Sequence, residues 1–154
     1  MQIEVVLLSI SDGTELGWRV ACGTLPTGCW PDARARELAG LDTGVPVATV
    51  VHSTSWRPTS GGLILTYAVL PDPNPAAGSV HVVPAEVRMI SSADAAAPSP
   101  PAVNVEHVLA HALRHLSLVA RTNPAVAVAV AAHPRLWDAV LAHTPDVAGQ
   151  LVFS

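Results

Sequence analysis

The stretch SSADAAAPSPPA, residues 91–102, separates two parts of the chain that carry different hydrophobic patterns. Before it, apolar residues sit in short β-branched runs; after it, they recur at helical spacing. Proline with alanine and serine supports neither period, so the segment itself predicts a surface loop. Strands first and helices last predict an α+β chain: a mixed-sheet sandwich core over 1–91, the loop over 92–103, and a helical segment over 104–154 packed on the core as one domain.

The runs IEVVLLSI and ELGWRVAC flank Ser11-Asp12-Gly13-Thr14, and Asp-Gly between two such runs predicts a hairpin. A short helix is expected over PDARARELAG, with Pro31 in its first turn, Asp32 at the positive end of its dipole and Gly40 or Gly44 to end it. VPVATVVHSTSW and LILTYAVL flank PTSGG and predict a second hairpin, and SVHVV, with EVRMI beyond Pro84, predicts more strand. Further on, Val105, Val108, Leu109, Ala112, Leu116 and Val119 fall on one helical stripe behind a capping Asn104. Pro124 and Pro134 each open another short segment. The first of these, PAVAVAVAA, alternates like a strand but is read as helix from its alanines and its context.

With 154 residues, half of them hydrophobic and 13% charged, the chain has enough apolar surface to fold without staples. Its eight basic residues are all arginines, scattered, in a chain of net charge −4, which argues against a nucleic-acid partner. Together with the alanine and proline content, the absence of lysine points to GC-rich coding. The longest apolar run, Ala125 to Ala132, is far short of the ~20 residues that span a bilayer, so no membrane partner is expected. MQIEVV has no basic start before an apolar stretch, which points to a cytoplasmic location. There Cys22 and Cys29 are expected as free thiols. The apolar surplus suggests a homodimer.

Residues 23–45, GTLPTGCWPDARARELAGLDTGV, run as loop, short helix and closing Gly-Val between strands. In order and length this resembles the box of a Nudix hydrolase domain, G-x5-E-x7-R-E-U-x-E-E-x-G-U, whose glutamates bind magnesium or manganese. Substrates of that family are usually nucleoside diphosphates linked to another group. With Gly23 and Gly44 in register, the first glutamate position falls on Cys29, the R-E pair on Glu37-Leu38 and the E-E pair on Leu41-Asp42, leaving Asp42 as a ligand type. Shifting by one brings Arg36-Glu37 onto R-E but puts Gly40-Leu41 on E-E. On one continuous helix Glu37 and Asp42 would diverge by roughly 140°. The resemblance therefore implies the scaffold of the family without its metal chemistry. An alternative is an active hydrolase using Mg or Mn, its site assembled from Asp42, Glu37 and residues such as Glu86 or a C-terminal histidine.

Two other groups stand out. On a regular strand, VVHSTSWR puts Val50, His52, Thr54 and Trp56 on one face and Val51, Ser53, Ser55 and Arg57 on the other. Trp56 could stack on a ring while His52 or Arg57 meets polar or phosphate groups. His107, His111 and His115 follow at i, i+4 and i+8, a spacing at which neighbouring imidazoles can chelate a transition metal. Arg114 beside them opposes a cation, and the plainer interpretation is a polar flank to the helix's core stripe. The expected function is a small-ligand binding or protein-interaction module without a cofactor. A nucleotide-like ligand would be held by His52, Trp56, Arg57, Glu37 and Asp42.

Overall fold

The computed structural model describes residues 1–11, 15–78, 80–83 and 105–142. EVRMI with Glu86, the 92–103 loop, the Asn104 cap and the Val105 side chain lie outside that set. The described elements are β1 (Gln2–Ser11), β2 (Glu15–Thr24), α1 (Pro31–Leu38), β3 (Val50–Thr59), β4 (Gly62–Leu70), β5 (His81–Val82), α2 (Val105–Thr122), α3 (Ala127–Ala132) and α4 (Pro134–Leu141), with single 3-10 turns at Pro75–Ala77 and Pro124–Val126. The fold is α+β: four helices among the described residues and a mixed five-stranded sheet in the order β3-β4-β1-β2-β5. Both expected hairpins are present as antiparallel pairs, β1 with β2 and β3 with β4, while β1 and β4 run parallel.

The topology explains why β1 reads as an unbroken apolar run. It is the central strand, flanked by β4 and β2, and helices cover both of its faces, so residues of either parity must be apolar. Ile3, Val5 and Leu7 pack with Tyr67 and Val69 beneath Ala35, Ala39 and Leu41 of the α1 region. Val6, Leu8, Leu16, Trp18, Ala68 and Leu70 pack on the opposite face against Val108, Leu109, Leu113, Leu116, Leu136, Trp137 and Val140. The helical stripe foreseen from the sequence is thus the layer that closes the second face of the sheet. The alternating valines of PAVAVAVAA are helical because Pro124 starts a turn whose Ala125 N–H is capped by the Asn123 side chain at 3.0 Å.

Two local features decide where the candidate residues end up. Helix α1 stops at Gly40, not Gly44: Gly40 adopts φ +81°, Gly40 N–H donates to Glu37 O at 3.0 Å, and Leu41 N–H donates to Arg36 O at 2.8 Å. These paired bonds make a Schellman turn, with buried Leu41 as its apolar anchor. In β3, Ser53 pairs with Tyr67 but Ser55 pairs with Thr66, so Thr54 is an extra residue, a β-bulge. Its hydroxyl donates to Thr66 O at 3.4 Å.

The bulge corrects the face assignment expected for a regular strand. Beyond it the parity of β3 reverses, so His52 and Arg57 share the face covered by α2. Trp56, opposite Leu65, turns to the α1 face. No helix among the described residues is long and apolar enough to cross a membrane.

Candidate functional site

The five residues expected to form one ligand site occupy four separate settings. Glu37, in the last turn of α1, accepts from Arg34 Nη1 at 2.7 Å, while Arg34 Nε donates to Thr24 O at 2.9 Å. Its carboxylate is therefore neutralised by an arginine that is itself anchored to β2. Asp42 is exposed and lies past the Schellman turn. The divergence calculated for a continuous helix gives way to a simpler cause of separation: the helix ends before Asp42. Asp32 accepts a short hydrogen bond from the Tyr67 hydroxyl. Burial first, then that bond, pushes the Tyr67 pKa well up, so the phenol stays protonated. Among the described residues no three His, Cys, Asp or Glu side chains converge as a metal-binding group.

Arg57 faces inward as a structural fork. Its Nη1 and Nη2 donate to Glu4 Oε1 and Oε2 at 2.9 and 3.0 Å, and the Thr66 hydroxyl donates to Glu4 Oε1 at 3.0 Å. Glu4 is buried, so this bidentate pair is what makes its charge tolerable, and the guanidinium is not presented to a phosphate. Cys22 sits opposite Glu4 on β2. Burial and then Glu4 raise its thiol pKa against the pull of Arg57, which makes it a weak nucleophile at neutral pH. Trp56 is 61% exposed on the other face.

The histidine stripe contributes one residue to a different pair. His115 stands across from His52 of β3, ring centroids 4.9 Å apart, and neither His115 ring nitrogen meets a hydrogen-bond partner among the described residues. His52 Nδ1 lies 2.8 Å from Ser53 O, an acceptor only, so Nδ1 carries the proton. Burial first and His52 second lower the His115 pKa below 6.5. The unfolded chain consequently takes up its proton first as pH falls. Stability that is complete above about pH 6.5 is lost as pH falls through the lower, folded-state pKa. The melting temperature is expected to bend downward below about pH 6.5, and His115→Leu to flatten that bend. An unchanged bend in the variant would assign it to other groups.

A cleft of about 370 Å³ opens where the parallel strands β1 and β4 end. Ser9, Ile10, Pro71 and Asp72 form its sheet side; Pro75 and the His133–Leu136 segment at the start of α4 complete it. Asp72 is fully committed: Arg19 Nε and Nη2 donate to its two oxygens at 2.6 and 2.8 Å, and Asn74 N–H donates to Oδ1 at 2.9 Å. Its own N–H donates to Leu8 O at 2.7 Å, extending the parallel ladder to the cleft. Ser9 is only 8% exposed, and its hydroxyl makes no hydrogen bond among the described residues. Arg135 is exposed and makes no ion pair among them.

No family model, curated protein or solved structure matches this chain. The chemistry must be read from these side chains. Sequence reasoning passes over the cleft because Pro134 reads only as the start of a helix and the sequence pattern assigns nothing to PDPNP. Only the close approach of the two brings Arg135 and Ser9 to one cavity.

Proposed function

We propose that the chain is a Nudix-like module that binds a small ligand in the cleft at the ends of β1 and β4 and does not hydrolyse it through a metal. The observation that carries this is the state of the box carboxylates: Glu37 is paired with Arg34, and Asp42 stands beyond a completed helix stop. A divalent cation bridging phosphates needs several oxygens converging on one point. The donor set here does not fit that group. The Nudix-like relationship is supported by the order strand, GxLPxG loop, helix, two strands, and by helices on both faces of a mixed sheet. The cleft falls within the range of roughly 300–1,000 Å³ typical of small-molecule sites.

The test is pyrophosphate-bond hydrolysis across a panel of nucleoside diphosphate derivatives with Mg or Mn. The expected result is no turnover above the protein-free blank. Metal-dependent turnover abolished by Asp42→Ala would replace this reading with an active hydrolase. A second reading, a protein-interaction surface that includes a homodimer contact, is favoured by the exposed side chains of Trp30, Val47 and Trp56.

A further inference from the structure

We propose that His52 and His115 form a two-histidine site for a divalent transition metal of the zinc class, where β3 meets α2. Neither residue lines the cleft or belongs to the 23–45 segment, so this inference stands apart from the binding-module reading. The two rings come from distant parts of the chain and meet with centroids 4.9 Å apart and planes tilted by 51°. Two imidazoles bound to one tetrahedral zinc, with Zn–N bonds of about 2.0–2.1 Å, hold their ring centroids about 5 Å apart. A linear two-coordinate ion would push the centroids to about 6 Å, so the observed spacing fits a bent nitrogen–metal–nitrogen arrangement.

The ring nitrogens are disposed for this role. His52 donates from Nδ1 to Ser53 O at 2.8 Å, which leaves the lone pair of the neutral ring on Nε2 and fixes the ring plane. A metal-ligating histidine is usually oriented in this way, its second nitrogen held by a carbonyl. His115 Nδ1 and Nε2 are both buried, and neither has a hydrogen-bond partner among the described residues. Native folds satisfy buried polar atoms, so an unpartnered imidazole beside a second imidazole points to a ligand for its lone pair. Arg114 adjoins His115 in sequence but projects roughly 100° away around α2. Among the described residues no third His, Cys, Asp or Glu joins the pair, so the protein supplies two ligands and leaves the other positions to water or a bound molecule. Such access exists on one side, because β3 is an edge strand and His52 is only half-buried. Imidazole suits Zn²⁺, Cu²⁺ and Ni²⁺, whereas Mg²⁺ takes oxygen ligands, so the site discriminates against the hard cations that a carboxylate box would hold.

The test is a titration of the untagged full chain with Zn²⁺, and separately with Mg²⁺, read by calorimetry and by the side-chain nitrogen shifts of the histidines in NMR. One Zn²⁺ per chain is expected to bind in the micromolar range, with saturable shifts of His52 Nε2 and of one His115 nitrogen, and with no response to Mg²⁺. His52→Leu and His115→Leu are each expected to weaken Zn²⁺ binding by about 100-fold, as the loss of one of two ligands requires. The nitrogen shifts are read on the unaltered chain, so they decide the matter even where a variant folds poorly. Unchanged His52 and His115 nitrogens up to about 1 mM Zn²⁺ would overturn the site and leave the rings as a packing contact. Binding that survives His52→Leu but is lost in His111→Leu would also overturn it, moving the ion to histidines one turn apart on α2. Either result leaves the binding-module reading of the cleft untouched.

Discussion

Asp72→Ala is expected to cost about 3–5 kcal/mol of folding stability, which for a chain of this size lowers the melting temperature by roughly 10 °C. The cause is the partner left behind. The Arg19 and Asp72 side chains are only 10% and 0% exposed, so removing the carboxylate strands a guanidinium where water cannot replace it. The Asn74 N–H loses its acceptor in the same step. The pair spans 53 residues of sequence and ties β2 to the segment after β4. Urea denaturation of Asp72→Ala, Arg19→Met and the double variant checks this. The double variant is expected to recover part of the single-variant loss, because it leaves no uncompensated buried charge. A single-variant loss below about 1 kcal/mol would mean that the pair is solvated like a surface ion pair.

Trp137→Ala is expected to cost about 3–5 kcal/mol as well, for a different reason. Trp137 is 0% exposed and lies in the core that joins α4 and α2 to Leu8, Leu16 and Leu70 of the sheet. Truncation leaves a cavity that the short helix cannot close by itself. Its indole N–H is buried with no hydrogen-bond partner among the described residues, so Trp137→Phe, which keeps an aromatic ring and removes that donor, is expected to cost much less than alanine. The difference between the two variants in a urea midpoint measures packing separately from polarity. Equal losses for Phe and Ala would show that ring packing contributes little there.

Much of the architecture was legible because it follows from local chemistry. The hairpin strands, the proline-started helices and the apolar stripe of α2 depend on short-range pattern, and each lies where its residues require. The stop of α1 was readable to within a choice of two glycines; Gly40 is selected because it places Leu41 in the core. The candidate site was far less legible. Nothing in HSTSW announces that Thr54 is looped out, since the bulge is stabilised by a hydrogen bond to Thr66, a residue on the next strand. That one residue reverses the faces of Trp56 and Arg57. Glu4 was read only as part of a strand, yet its burial decides the role of Arg57. The partner of His115 is equally non-local: the i, i+4 spacing suggested its helical neighbours, and the ring beside it belongs to β3. The cleft draws its walls from widely separated segments, so its composition exists only after folding.

The central claim is that the carboxylates of the 23–45 segment do not share a divalent cation, and manganese line broadening reads this directly. In an amide-resolved NMR titration with sub-stoichiometric Mn²⁺, a shared site would erase the signals of residues around Glu37 and Asp42 together, and removal of either carboxylate would restore them. The binding-module reading predicts that both sets of signals persist. Joint, saturable loss of both sets, reversed by excess Mg²⁺ and absent in Asp42→Ala and in Glu37→Gln alike, would contradict it.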